Sequence, residues 1–119
     1  INLVALQEHL ASRRLDVEND DQFWPATKKC QEDLEKYSWS HAQVGKMLSS
    51  LRPGASGKGD YKKSEWCMVE TGEMYPCDVY TLPFDETRGQ RNRKGLTGYL
   101  KFSLGKDGEL FLVLVSCHL

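Results

Sequence analysis

The spacing of hydrophobic residues changes once along this chain, and that change limits the folds open to it. Up to about residue 53, apolar residues recur every three or four positions, as on one face of a helix. After Asp60 they alternate with polar residues, which is typical of strands with one buried face. A chain of 119 residues has room for one core. The pattern therefore predicts a single α+β domain, helical over 1–53 and built of strands over 60–119.

Three helices are expected in the first part. The first ends near Leu15. The second begins at Phe23-Trp24-Pro25, because proline suits the first turn of a helix. The third has the clearest boundaries, since Ser40 and Gln43 have the spacing of a capping box and Arg52-Pro53-Gly54 ends the apolar pattern.

The second part predicts an antiparallel sheet, with the helices packed on one of its faces. A basic, polar loop at 83–95 separates the second expected strand from the third. Asp107-Gly108 favours a type I′ turn, so the last two strands are expected to form a hairpin. The four expected strands are Tyr61–Glu70, Met74–Leu82, Leu96–Leu104 and Glu109–Cys117.

The expected hairpin fixes a register and hence two faces. If Lys106 lies opposite Glu109, the residue numbers of all cross-strand partners add up to 215. One face is then wholly apolar and is expected under the helices, with Leu100, Phe102, Leu104, Phe111, Val113 and Val115. The outer face instead gathers Tyr99, Lys101, Ser116 and His118, which makes it the candidate site.

The net charge of -1 conceals a local excess of positive charge. Between residues 88 and 106 there is no acid. Such a stretch is typical either of a solvated loop or of a local site for an anion such as RNA. Near-neutral overall charge argues against indiscriminate coating of nucleic acid. The bases of this stretch are Arg88, Arg91, Arg93, Lys94, Lys101 and Lys106.

Several other classes of site are disfavoured. The cysteines lack a Cys-x-x-Cys pair, so a zinc site is not expected, and without an export signal we interpret them as reduced thiols of a cytoplasmic protein. The glycine-rich segment 54–59 is not a phosphate-binding P-loop, because no strand precedes it and no helix follows. No apolar run is long enough to span a bilayer, so no membrane partner is expected.

Four short blocks carry a resemblance to a known family. In chain order they resemble the motility quorum-sensing regulator toxins, which are small messenger-RNA interferases with a RelE-like fold. The resemblance covers roughly residues 26–118. It implies a sequence-selective endoribonuclease that needs no metal or cofactor and is neutralised by a partner antitoxin protein. The blocks are Asp60-Tyr-Lys-Lys-Ser64, Cys77-Asp-Val-Tyr80, Gly98-Tyr-Leu-Lys-Phe102 and Val113-Leu-Val-Ser-Cys-His118.

The resemblance also implies roles for particular residues. It assigns the catalytic lysine to Lys63, with Lys62 as the adjacent candidate, and it matches the family tyrosine to Tyr99. Two positions depart from the family, because Cys77 stands where the family has glutamine and His118 where it has lysine. The 83–95 segment is also longer than the family usually has.

Metal-free RNA cleavage needs a base for the 2′-hydroxyl, an acid for the leaving 5′-oxygen and cations for the phosphorane. Histidine serves as acid or base near neutral pH, which suits His118. Lys63 would stabilise charge, and Tyr99 would donate a hydrogen bond or stack on a base. The expected substrate-binding residues are Arg88, Arg91, Arg93, Lys94, Lys101 and Cys77.

Each of these residues also has an ordinary structural interpretation. His118 lies at the C-terminal end, Lys63 has the pattern of a solvated strand lysine, and Tyr99 suits cross-strand packing. Two alternatives to an enzyme therefore stay open: an RNA-binding regulator of the same fold that has lost cleavage, and a protein-interaction domain whose basic loop meets an acidic partner.

Overall fold

A computed structural model describes residues 2–54, 59–104 and 110–119 of the chain. Within these residues the chain forms three helices and six strands. None of the helices there is long and apolar enough to cross a membrane. In chain order the elements are α1 (Leu3–Ala11), β1 (Phe23–Pro25), α2 (Lys28–Lys36), α3 (His41–Ser50), β2 (Tyr61–Met68), β3 (Met74–Asp85), β4 (Gln90–Arg91), β5 (Leu96–Ser103) and β6 (Leu112–His118).

The strands form one open sheet in the order β1-β6-β5-β3-β2, with the short β4 paired to β3. The predicted α+β class is confirmed. The prediction of a purely antiparallel sheet is wrong, because β1 runs parallel to β6. The sheet is therefore mixed, with one parallel pair at its edge.

The parallel strand occupies the residues that were expected to start the second helix. Phe23 lies beside Leu112 and is buried, while Pro25, which has no N–H to donate, suits an edge strand. The helix begins later, where the Thr27 hydroxyl accepts a hydrogen bond of 3.1 Å from the backbone N–H of Cys30. The expected helix start at Phe23-Trp24-Pro25 is thus wrong.

The start of α3 agrees with the sequence. The Ser40 hydroxyl accepts a hydrogen bond of 3.2 Å from the backbone N–H of Gln43. The apolar side of the helix then buries Val44, Met47 and Leu48 against the sheet. Burial of apolar surface of this kind is the main force holding helices to a sheet.

The hairpin register differs from the expected one. The turn at Asp107-Gly108 lies outside the described residues, but the strands that flank it are described. Tyr99 lies opposite His118 and Leu100 opposite Cys117, two residues away from the expected pairing. The ladder shifts by one residue between Lys101 and Phe102, as at a β-bulge. The expected register was therefore wrong.

The bulge exchanges the two faces of β6 over residues 112–115, whereas Ser116 and His118 keep the expected face. Leu112 and Leu114 pack in the core beneath the helices, together with Leu100 and Phe102. Val113 and Val115 instead face the other side, against expectation. Alternation could not decide this, because all four residues from 112 to 115 are apolar.

A second, smaller core therefore lies on the face of the sheet away from the helices. The end of the β2–β3 hairpin folds over this face, and the backbone N–H of Glu70 donates a hydrogen bond of 2.8 Å to the carbonyl oxygen of Ala26. Only the remaining part of the face stays open. The second core contains Ala26, Val69, Cys77, Val113 and Val115, flanked by Trp24, Cys67, Tyr75 and Phe111.

Candidate functional site

The open part of the outer face carries a row of polar residues from three strands. Lys63 of β2 lies beside Val79, Val79 beside Lys101 of β5, and Lys101 beside Ser116 of β6. Tyr99 and His118 form the next row, because residues two apart on a strand share a face. The structure thus brings Lys63, Lys101, Tyr99 and His118 onto one surface.

A carboxylate, Glu65, links the two lysines of this surface. Its Oε1 lies 2.8 Å from Lys101 Nζ and its Oε2 lies 3.5 Å from Lys63 Nζ. The side chain of Lys101 is 18% exposed, whereas that of Lys63 is 60% exposed. The tighter pair is therefore the more buried one, and Lys63 is the lysine that an incoming anion can reach.

Both members of the tighter pair stay ionised over a wide pH range. The hydrogen bond from Lys101 is the main cause that lowers the pKa of Glu65, with the charges of both lysines acting in the same direction. Burial works to lower the pKa of Lys101, but the hydrogen bond to Glu65 and nearby negative groups outweigh it, so that the pKa is raised. The net result is a fixed ion pair with a second, freer cation beside it.

The aromatic rings of Tyr99 and His118 stack on each other. Their centroids lie 4.8 Å apart and the ring planes differ by 13°. His118 Nδ1 lies 3.1 Å from the backbone oxygen of Leu119. A proton on Nδ1 satisfies that oxygen and leaves Nε2 as the basic nitrogen of the ring.

The basic loop is held on the other side of the sheet, against α3. Arg91 binds the Asp60 carboxylate through two hydrogen bonds of 2.6 Å and 2.9 Å, and it also donates to the backbone oxygen of Ser50. Trp39 Nε1 donates a 2.9 Å hydrogen bond to the Glu86 carboxylate. Arg91 is thereby committed to holding the loop.

The other expected substrate-binding residues lie in different surroundings. Arg88 is highly exposed, 3.8 Å from Asp85, and Arg93 and Lys94 are exposed on the same loop. Because the loop is anchored to α3, the structure does not bring these bases together with the outer-face lysines. Arg93 and Lys94 line a shallow surface groove of their own.

Two further expected residues are set apart from the polar row. Lys62 stands at the irregularity between Tyr61 and Lys63 in the β2–β3 ladder and is exposed. Cys77 is 1% exposed beneath the surface, and burial is the main cause that raises its pKa to about 12, followed by neighbouring Cys67. It is therefore a protonated, enclosed thiol.

The sequence contained one signal for Glu65 that the initial interpretation missed. Glu65 stands two residues after Lys63, so a strand places both on one face. Its contact with Lys101 depends on β3 lying between the two strands, and no tight-turn motif in the sequence fixes that neighbour relation.

The fold and the site together define a class: an α+β domain with a cationic, aromatic surface on the open face of a mixed sheet. No family model, no curated protein and no solved structure matches the chain.

Proposed function

We propose that this domain is a metal-independent endoribonuclease, an mRNA interferase toxin similar to the motility quorum-sensing regulator toxins. The observation that carries the proposal is the open surface where Lys63 and Lys101 adjoin the stacked pair of Tyr99 and His118. Cations suit the phosphate of a single RNA strand, and aromatic rings suit its unstacked bases. The two lysines can therefore contact the phosphates of such a strand, and the two aromatic rings can contact its bases.

The reaction assigned to this surface is attack by a ribose 2′-oxygen on the adjacent phosphorus. His118 Nε2 takes the 2′-hydroxyl proton, while Lys63 gives a proton to the leaving 5′-oxygen as the bond from phosphorus to that oxygen breaks. Lys101 stabilises the negative charge of the phosphorane, and Tyr99 holds the imidazole in place by stacking. The products are a 2′,3′-cyclic phosphate and a 5′-hydroxyl.

Glu65 has a positioning role in this scheme. Its contact with Lys63 is long and solvent-exposed, so a phosphate of the substrate replaces it there. Its contact with Lys101 is shorter and half-enclosed, and it stays in place to orient that lysine. Glu65 thus keeps Lys101 oriented, and Lys63 leaves Glu65 for the phosphate when RNA binds.

The proposal also includes partners and a cellular setting. RNA is the substrate, a cognate antitoxin protein is the inhibitor, and the cytoplasm is where such an enzyme meets messenger RNA. These follow from the family resemblance together with the chemistry of the outer face.

The test is incubation of the protein with an end-labelled transcript in the presence of EDTA. We expect cleavage that leaves cyclic phosphate ends, and no cut where the nucleotide on the 5′ side of the scissile phosphate is 2′-deoxy. RNA that is bound but left intact would replace the proposal with a non-cleaving RNA-binding module. RNA that is neither bound nor cut would favour a protein-interaction domain instead.

A further inference from the structure

The strand β2 lies at the edge of the sheet, and one side of its backbone faces away from β3. Within the described residues, β2 pairs with β3 alone. The Val69 N–H bonds to the Glu73 oxygen, so Val69 directs its backbone towards β3. Because this direction alternates along a strand, Ser64, Trp66 and Met68 direct their N–H and C=O groups to the open edge.

Contacts at both ends limit the open stretch. On one side, the backbone N–H of Asp60 donates to the oxygen of Arg52 at 3.3 Å. On the other side, the Glu70 N–H is taken by Ala26. The stretch 64–68 therefore forms the accessible edge, with Trp66 at its centre. Unpaired strand edges of this kind are templates for pairing with another strand.

The same edge carries the most exposed tryptophan among the described residues. Trp66 is 66% exposed and Met68 is 64% exposed, and across the ladder from them lie Pro76 and Met74. These four side chains project on the helix-bearing side of the sheet, beyond the helices. Tryptophan side chains are highly buried on average, so the exposure of Trp66 is unusual. A large apolar ridge beside an unpaired edge is the usual mark of an interface.

We propose that two copies of this chain pair antiparallel through their β2 edges, about a two-fold axis at Trp66. In this register Trp66 lies opposite the partner's Trp66, and Ser64 lies opposite the partner's Met68. Every backbone group that faces the open edge at these positions then meets a group that also faces outward, so both members of each pair can exchange hydrogen bonds.

Charge complementarity favours a second copy as the occupant of the edge. The same register brings Lys62, next to the bulge at one end, towards the partner's Glu70 at the other end. A shift by two residues would place Glu65 opposite the partner's Glu65, which is a like-charge pair and unfavourable. A two-fold interface needs a surface that complements itself. In this edge the apolar Trp66 lies at the centre, and the opposite charges of Lys62 and Glu70 lie at the two ends.

The dimer would join two sheets into one continuous sheet. The two-fold axis of two antiparallel edge strands stands perpendicular to the sheet, so like faces stay on the same side. The two Trp66 side chains then lie on one side of the joined sheet, and the two polar outer faces lie together on the other. This inference concerns β2 alone and does not depend on RNA cleavage.

The experiment is light scattering of the chain during size-exclusion chromatography, with two matched variants. We expect the parent at about 27 kDa, twice the chain mass of 13.6 kDa. Trp66→Lys should elute as a monomer, because the symmetric position would bring two ammonium groups together. Leu96→Lys is the control, since Leu96 is 65% exposed on β5, and it should remain a dimer. Circular dichroism confirms that each variant is folded.

Hydrogen exchange of the parent provides a second reading that needs no variant. The amides of Ser64, Trp66 and Met68 should exchange slowly in concentrated solution and faster on dilution, as pairing is lost. If the parent is monomeric at all accessible concentrations, the proposal is wrong. The edge would then be available for a strand of a different protein. A Trp66→Lys chain that stays dimeric would overturn the proposal too.

Discussion

At the scale of single residues, Glu65 decides how much positive charge the outer face offers to a ligand. One carboxylate contacts two lysines, so the surface carries one net positive charge at this point where the sequence alone suggests two. Its pKa is lowered and that of Lys101 is raised. The stabilisation from the pair is therefore lost as the pH falls through the lowered value of Glu65 or rises through the raised value of Lys101.

Replacing Glu65 by glutamine should strengthen RNA binding and make it more sensitive to salt. Two lysines then become free for phosphate, and each added phosphate contact steepens the log–log salt slope by about 0.7 for a single strand. Fluorescence anisotropy with an uncleavable 2′-O-methyl RNA measures this. Glu73→Gln is the matched control, because it removes the same charge from the exposed hairpin turn. Equal salt slopes for the two variants would show that Glu65 does not lie on the RNA-binding surface.

His118 belongs to the same scale, and its replacement separates chemistry from packing. His118→Ala should slow RNA cleavage by roughly 10²–10⁴-fold, the usual effect of losing a general acid or base. Stability should change little, since the ring is partly exposed. His118→Lys should retain part of the activity with an optimum at higher pH, because an amine must lose its proton before it acts as a base. Unchanged cleavage by His118→Ala would exclude the proposed role.

At the scale of elements, the strand β6 shows how far hydrophobic pattern can specify a face. The sequence placed Tyr99, Lys101, Ser116 and His118 on the outer face, and the structure agrees. It misassigned Val113 and Val115, because one bulge separates the two ends of the ladder and an all-apolar run gives no indication of where the bulge falls. Alternation of polar and apolar residues therefore predicted the face correctly at the polar end of β6, but it could not predict the face of residues 112–115.

The observed register predicts a large stability cost at Leu114. This residue is fully buried under the helices, so Leu114→Ala should lower the free energy of unfolding by about 2–5 kcal/mol through lost transfer energy and a cavity. Urea unfolding measures the difference. Leu96→Ala is the control and should stay within about 0.5 kcal/mol, because Leu96 is exposed. If Leu114→Ala were as stable as the control, the result would contradict the observed register and support the expected one, in which Leu114 faces outward.

The basic loop gives a second test at the scale of elements. Arg91→Ala leaves the buried carboxylate of Asp60 without its partner, so it should cost roughly 3 kcal/mol of stability, the lower end for breaking a buried ion pair. RNA affinity of the folded variant should stay unchanged. An affinity loss at unchanged stability, measured by anisotropy and urea unfolding, would instead return Arg91 to the phosphate-binding role that the charge pattern suggested.

At the scale of the whole molecule, the sequence predicted the class of fold better than its arrangement. The change from helical to alternating spacing after Asp60 was sufficient for the α+β class. The parallel strand at Phe23–Pro25 was missed, because three residues are too few to show a period and proline there also suits a helix start. The strands of the β2–β3 hairpin were predicted, but the folding of its end over the outer face was missed, because its contact with Ala26 joins segments 44 positions apart.

The whole-molecule arrangement also explains why charge along the sequence was a poor guide to charge in space. The four bases at 88–94 are close together in the chain, and Asp60 and α3 hold their loop on the helix-bearing side. Lys63 and Lys101 are 38 positions apart, yet they lie on one surface through β3. The bases that are close together in the chain and the two lysines of the polar row therefore lie on opposite sides of the sheet.

The adjacent lysines Lys62 and Lys63 allow the central claim, that the open outer face cleaves RNA, to be tested with one pair of variants. Both side chains are exposed and differ by one position, but only Lys63 lies in the row with Lys101. With a labelled transcript in EDTA, Lys62→Ala should cleave like the parent. Lys63→Ala should be slower by roughly 10²–10⁴-fold, the scale for losing the general acid that protonates the leaving 5′-oxygen. A Lys63→Ala chain as active as Lys62→Ala, or a parent that leaves the RNA intact, would contradict the claim.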